Sequence, residues 1–349
     1  MSKVRIAVVG AGVVGRRHIE EIERSPSAAL ASVVDISPAA TDVARRRGVA
    51  LYGSLAKLFA QDRPDGVILA SPNPLHVEQG LECVAAGIPA LVEKPVAHTL
   101  EEGLRLCAAA ERARVKLLVG HHRRHSPILH RAVAVVRSGI LGPLVGVLGS
   151  AMFYKPDGYY DGPNAWRRAP GGGPILINLV HEVDNLRAMV GEIVAVQAFA
   201  SNATRGFEVE DTVAISLRFH NGALGTFLLS DCGASPKSWE QTSQENDAYA
   251  TYADEDAYTL VGTRGSLGVP TMRLRYYEDD AKRSWHTPFA TRTEAVARED
   301  PLARQIEHFA AVIRGEQEPL VTCRDGLQNL RVTEAIAAAA RTGRAVATA

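Results

Sequence analysis

Three glycines in the run Gly10-Ala11-Gly12-Val13-Val14-Gly15 follow directly on the apolar stretch Val4 to Val9 and head a helical pattern. Glycine at this spacing allows a tight turn and close backbone approach, so the amides around Val13 and Val14 at a helix N-terminus can receive a pyrophosphate. Asp35 ends the second β-like run, 35 − 15 = 20 residues after Gly15. A carboxylate there can accept hydrogen bonds from adenosine ribose hydroxyls. Ile36 and Ser37 follow it rather than an arginine. A ribose 2′-phosphate would meet negative charge with no cation nearby, so NAD is favoured over NADP, and a flavin dinucleotide is the alternative the motif leaves open.

Two further residues have types suited to proton and charge chemistry. Lys94 lies in Glu93-Lys94-Pro95 at the end of a short strand pattern, on the carboxyl edge where ligands bind in open α/β sheets. Its ammonium can stabilise negative charge developing on a reacting oxygen, and the bond before Pro95 is a candidate for the cis form. His181 follows Gly171-Gly172-Gly173-Pro174 in a helical segment filled by Ile175, Leu176, Ile177, Leu179, Val180, Val183 and Leu186. At about 100° per residue, Asn178, His181, Glu182 and Asn185 share one stripe of it. A polar stripe on such a helix suits a histidine acting as general base on an alcohol, with Asn178 placed to contact substrate.

Loop residues supply further candidates. Lys155, Tyr159, Tyr160, Trp166 and Arg167 occupy a Pro/Gly-rich loop, where aromatic rings can stack on a sugar or cyclic diol and the cations suit a substrate carboxylate. The long polar stretch Ser235 to Asp256 contains Trp239 and reads as a lid or subunit-contact loop. In His121-His122-Arg123-Arg124-His125, adjacent side chains of an extended segment point to opposite faces, so no metal site is expected.

The elements that must position these residues form two groups. Up to about residue 122, strand patterns at Val4 to Val9, Leu30 to Asp35, Gly66 to Ala70, Ala90 to Glu93 and Lys116 to Gly120 alternate with helical stretches. That grammar predicts a doubly wound parallel sheet. From residue 123 to 349 strands dominate: Leu144 to Tyr154, Ile193 to Asn202, Thr212 to Phe219, Ala223 to Ser230 and shorter ones from Tyr258 to Tyr277, with closing helices within about 301–341. An α+β domain with a large, mainly antiparallel open sheet is predicted. Asn221-Gly222 between two of its strands suggests a type I′ hairpin.

Composition excludes several classes. The 349 residues carry 39 lysines plus arginines against 39 aspartates plus glutamates, so no overall field draws in nucleic acid. No apolar run approaches the roughly 20 residues of a membrane helix, and no cleavable signal leads the chain, which reads as soluble and cytoplasmic. The 4 cysteines show no close spacing, so reduced, mostly buried thiols are expected.

Taken with Ser71-Pro72-Asn73 and His76, Arg123-Arg124 with Pro127, and His181-Glu182-Val183-Asp184, the glycine loop and Glu93-Lys94-Pro95 resemble the Gfo/Idh/MocA oxidoreductases across essentially the whole chain. The resemblance implies a Rossmann domain and a C-terminal domain whose open sheet mediates a homodimer or homotetramer. It also implies hydride transfer between nicotinamide and a secondary alcohol of a sugar, cyclitol or cyclic diol, with Lys94 and His181 catalytic. Ser71, Asn73, His76, Glu93, Lys94 and His122 become cofactor neighbours, and Arg123 a substrate neighbour. Inositol dehydrogenases of the family commonly carry an aspartate four residues before the histidine. Ile177 stands there, and Asn178 beside it supplies no negative charge. The resemblance leaves two alternatives, an NAD-dependent redox-elimination glycosidase and a non-catalytic sugar or nucleotide sensor.

Overall fold

The computed structural model describes residues 2–348, the side chain of Pro163 excepted. The chain divides into two compact units: residues up to His125 with Pro301–Leu330, and Ser126–Asp300 with residues from Arg331 onward.

In the first unit six parallel strands, β1 (Val4–Val9), β2 (Ala28–Val34), β3 (Ala50–Tyr52), β4 (Gly66–Leu69), β5 (Ala90–Val92) and β6 (Leu117–Val119), lie in the order β3-β2-β1-β4-β5-β6. The strand order reverses between β1 and β4, the switch point where doubly wound sheets open a crevice for ligands. Ile6 to Val9 and all of β4, β5 and β6 are buried without alternation, as expected of strands covered on both faces. Only β3, whose Ala50 and Leu51 are exposed, gave no apolar run to read.

The closing helices depart from the expected division at residue 122. Helix Pro301–Ile313 belongs to the first unit, because Ile306, Phe309 and Val312 are buried against Ile6, Val8 and Ile68 of its sheet. The final helix, Cys323–Thr342, is shared: Leu327 and Leu330 join the first unit's core, and Val332, Ile336 and Ala339 the second's. The expectation of reduced cysteines is also corrected. Cys107 and Cys323 form a disulfide, their Cα atoms 5.5 Å apart although 216 residues separate them. Spacing along the chain reveals only local pairings, and this one is made by the fold. Cys83 is a free buried thiol, pushed up to about 12 chiefly by burial.

The second unit is a nine-stranded sheet in the order β14-β13-β12-β11-β7-β10-β9-β8-β15. Its strands are β7 (Leu144–Met152), β8 (Ile193–Ser201), β9 (Thr212–Phe219), β10 (Leu224–Ser230), β11 (Tyr258–Gly262), β12 (Gly265–Val269), β13 (Arg273–Tyr276), β14 (Ala290–Thr293) and β15 (Val346–Ala347). All pairs are antiparallel except β7 with β10. Strand β9 shows the two-residue period plainly: Val213, Ile215, Leu217 and Phe219 are buried while Ala214, Ser216 and Arg218 face out. The buried face packs on helices Pro127–Arg137 and Val180–Met189 and the end of the final helix. On the other face Leu148, Phe199, Leu224 and Leu228 are exposed.

The hairpin after β9 is present with a different turn. Gly222 has φ +89°, but Asn221 is not in the left-handed region that a type I′ turn requires at both central residues. Phe219 and Ala223 close a three-residue loop, and the Asn221 side chain is held by Val190 O and the Ala223 N–H.

Candidate functional site

The glycine loop is built for an apposed ligand. A Cβ on Gly15 would lie 1.8 Å from Gly10 O, and one on Gly10 2.6 Å from Ala70 O at the end of β4, whereas Gly12 faces open space. No side chain caps the helix Val13–Arg24, so the amides of its first turn remain for a ligand. Val13 and Val14 beside them are exposed. Asp35 accepts the Ala11 N–H at 2.6 Å and the Ser37 N–H at 2.7 Å. Partial burial works against its charge, but these backbone donors outweigh it and hold the carboxyl below its ordinary value. An ionised acid beside an open, cap-free helix terminus fits the diphosphate and adenosine ribose of NAD.

That geometry carries a first prediction. Asp35→Asn removes the charge that repels a 2′-phosphate while keeping an acceptor, so the NAD over NADP ratio in kcat/KM is expected to fall about tenfold or more. Steady-state kinetics with both cofactors checks it, and an unchanged ratio would mean that Asp35 does not read the ribose.

Lys94 sits half-buried just beyond β5, and the Lys94-Pro95 bond is cis. Four contacts hold this turn. Glu93, buried, accepts the Lys94 N–H at 3.1 Å and bonds His18 Nε2 at 2.7 Å. Burial opposes the Glu93 charge, but His18, with Lys94 and His122 nearby, brings its carboxyl down to about 2. Nε2 therefore donates. His76, fully buried, places Nδ1 at 2.9 Å from Pro95 O and Nε2 at 2.9 Å from Ser71 O, which ties the β4 loop to the Lys94 turn.

Glu93 and His76, expected beside the cofactor, have polar atoms that brace the Lys94 turn. His18 was missed altogether, although it lies three residues beyond Gly15, one helical turn from the loop. Ser71 Oγ donates to Gln79, and Asn73 is exposed in a short 3₁₀ turn. His122 and Arg123 begin another 3₁₀ turn rather than an extended segment, with His122 half-buried and Arg123 buried. Among the described residues no group of three histidines, cysteines or acids is placed to hold a metal.

In the second unit, residues Ile175–Leu179 form a π-helical turn that leads into the α-helix Val180–Met189. Glu210 accepts the Ile175 N–H at 2.9 Å and so caps its start. The wider turn breaks the regular stripe expected of residues 178–185, a distortion common at functional sites. His181 is buried at 9% exposure and Asn178 is half-buried. Glu182 and Asn185 turn into the core, where Tyr258 OH donates to Glu182 and Asn185 Nδ2 donates to Tyr258 OH at 3.0 Å.

The loop candidates separate in the same way. Lys155 Nζ donates to Asn178 Oδ1 at 2.6 Å and lies 4.6 Å from the Tyr159 ring centre. Arg167 stacks on that ring at 3.9 Å and donates to Tyr159 O at 2.8 Å, with Trp166 exposed beside it. Tyr160 is buried and donates to Asp231 Oδ2, while Arg205 Nε donates to Asp231 Oδ1 at 2.9 Å. Trp239 is not a substrate residue: it is 3% exposed in the core, and its indole N–H donates to Glu245 at 3.0 Å. The stretch 235–256 that carries it contains a short helix, Trp239–Thr242, and the Tyr252 N–H donates to Gln241 O at 2.8 Å.

Residues 4–121 match the model of an oxidoreductase family with an NAD-binding Rossmann fold, and residues 134–348 match that family's C-terminal α/β domain. A 1,5-anhydro-D-fructose reductase of Ensifer adhaerens is 28% identical over 98% of this chain and 97% of its own length. The rhizopine catabolism protein MocA of Rhizobium meliloti is 27% identical over 96% and 94%. Among solved structures, the WlbA dehydrogenase of Bordetella pertussis in complex with NADH and UDP-GlcNAcA is similar with a TM-score of 0.78, 27% identity and 99% of each chain covered. Among the described residues no helix is long and apolar enough to cross a membrane.

Proposed function

Because the chain belongs to the Gfo/Idh/MocA family of NAD-binding oxidoreductases, we propose that it moves hydride between nicotinamide and a secondary alcohol of a sugar, cyclitol or cyclic diol, with NAD preferred to NADP. The braced turn that carries Lys94 supports this most directly. A lysine at the carboxyl edge of the sheet, held by Glu93 and His76, is a preorganised cation for an oxygen that gains negative charge. Bound NAD would supply the hydride acceptor at its nicotinamide ring.

The chain's own residues supply the rest. His181 takes the hydroxyl proton, and Lys94 stabilises the oxygen as its proton leaves. Asn178 contacts a neighbouring substrate group. The relatives' names make sugars and polyols the first class to test. The exposed apolar face of Leu148, Phe199, Leu224 and Leu228 supports association of copies as a homodimer or homotetramer.

Reduced-nicotinamide absorbance with a panel of aldoses, cyclitols, sugar acids and cyclic dihydrodiols tests the reading. At least one alcohol is expected to reduce NAD, and His181→Gln to lower its kcat about a hundredfold or more. A glycoside consumed without net reduction of NAD would favour redox elimination. NAD binding with no conversion at all would favour a sensor.

A further inference from the structure

Near Asn178 the second unit gathers hydrogen-bond donors from Lys155 and Arg167 around the Tyr159 ring. An ammonium can only donate, so the 2.6 Å contact of Lys155 with Asn178 requires the amide oxygen to face the lysine. The amide NH₂ is therefore turned away from the lysine, three residues before His181. Among the described residues the Lys155 ammonium makes no other hydrogen bond, and the side chain is only 12% exposed. Asp231 lies 4.0 Å away, but Tyr160 and Arg205 already occupy both its oxygens. Arg167 holds Tyr159 O through Nη1, and its Nε is buried with no partner.

Lys155 and Arg167 are both within 5 Å of the Tyr159 ring centre, two cations beside an Asp231 carboxylate that Arg205 also pairs at 2.9 Å. Burial, the largest influence on Lys155, pushes its ammonium down to about 8, with Arg167 and Arg205 acting in the same sense against Asp231 and Glu240. A cation that is costly to keep charged gains most from an incoming anion.

We propose that Lys155, Arg167 and the amide NH₂ of Asn178 form the subsite for a carboxylate, so that the alcohol oxidised is carried by a sugar acid rather than by a neutral sugar. The chemical complement of a wall of donors is a group that only accepts, and a hydroxyl would leave part of it unmatched. This inference rests on the dehydrogenase reading for the reaction but makes a separate claim about binding.

Calorimetry of NADH-saturated protein with matched pairs, D-glucuronate with D-glucose and D-galacturonate with D-galactose, tests it without turnover. The acid is expected to bind about tenfold or more tighter than its neutral partner, and Lys155→Met to remove most of that ratio. Equal binding within each pair, failure of both acids to bind, or a ratio that survives Lys155→Met overturns the proposal. If Lys155→Met does not fold, Arg167→Gln on the loop carries the test, and an unchanged ratio again overturns it. Turnover of neutral sugars with no acid preference sinks the carboxylate subsite and leaves the dehydrogenase reading standing. Tight acid binding without hydride transfer does the reverse.

Discussion

Lys94→Ala is expected to lower kcat by about 10³-fold or more while NAD still binds. A large loss is expected because the turn that carries the lysine is already held, through the Lys94 N–H, Glu93 and Pro95 O, so little reorganisation would be needed as charge develops. Truncation removes the ammonium, and the Lys94 charge near Glu93 with it, but keeps the hydrogen bonds made by the Lys94 N–H and Pro95 O. The glycine loop and Asp35 are untouched, so calorimetric titration with NAD should give a Kd close to that of the wild type. Loss of NAD binding and catalysis together would show a cofactor or folding role instead. A kcat reduced less than tenfold would remove Lys94 from the chemistry.

The second large effect concerns stability. His18→Leu leaves the Glu93 carboxylate buried without its donating partner, which is expected to cost the first unit about 3–5 kcal/mol by denaturant unfolding. His18→Gln, which can still donate, should lose much less. The double variant His18→Leu with Glu93→Leu should regain part of the loss, because an apolar pair needs no compensation. It should not regain all of it, since the Lys94 N–H also loses its acceptor.

The pH dependence has a definite sign. Glu93 has a folded value of about 2 against an ordinary value of 4.5, so its stabilising contribution is full above 4.5 and is lost as the pH falls toward 2. The stability difference between the wild type and Glu93→Gln should shrink over that window. A difference independent of pH would show that the His18–Glu93 pair does not depend on the carboxylate's charge.

Much of the molecule was legible along the chain because its signals are local. Val4–Val9 followed by three spaced glycines and Asp35 reads as a strand, phosphate turn and ribose acid. The alternation Val213, Ile215, Leu217, Phe219 reads as a half-covered strand. The cis bond before Pro95 and the polar residues around His181 were visible in the same way. In each case the physical cause, a turn that needs glycine or a periodicity of two or 3.6, acts within a few residues.

The misreadings arise where a role depends on contacts distant in sequence. His18 and Glu93 are 75 residues apart, so nothing near either one marks it as half of a buried pair. Cys107 and Cys323 meet only in the folded core. Trp239 looked like a binding residue on a polar loop until its indole was found facing Glu245 and Tyr258 inside the second unit. Helix Pro301–Ile313 follows the β-rich region in sequence yet packs on the first sheet. Sequence determined the element types, the cofactor loop and the candidate acid, lysine and histidine, because propensity and turn chemistry are local. Tertiary structure alone decided which polar groups brace Lys94, which donors stay open around Asn178, and which aromatic rings are core, because burial and hydrogen-bond satisfaction exist only once distant segments are packed together.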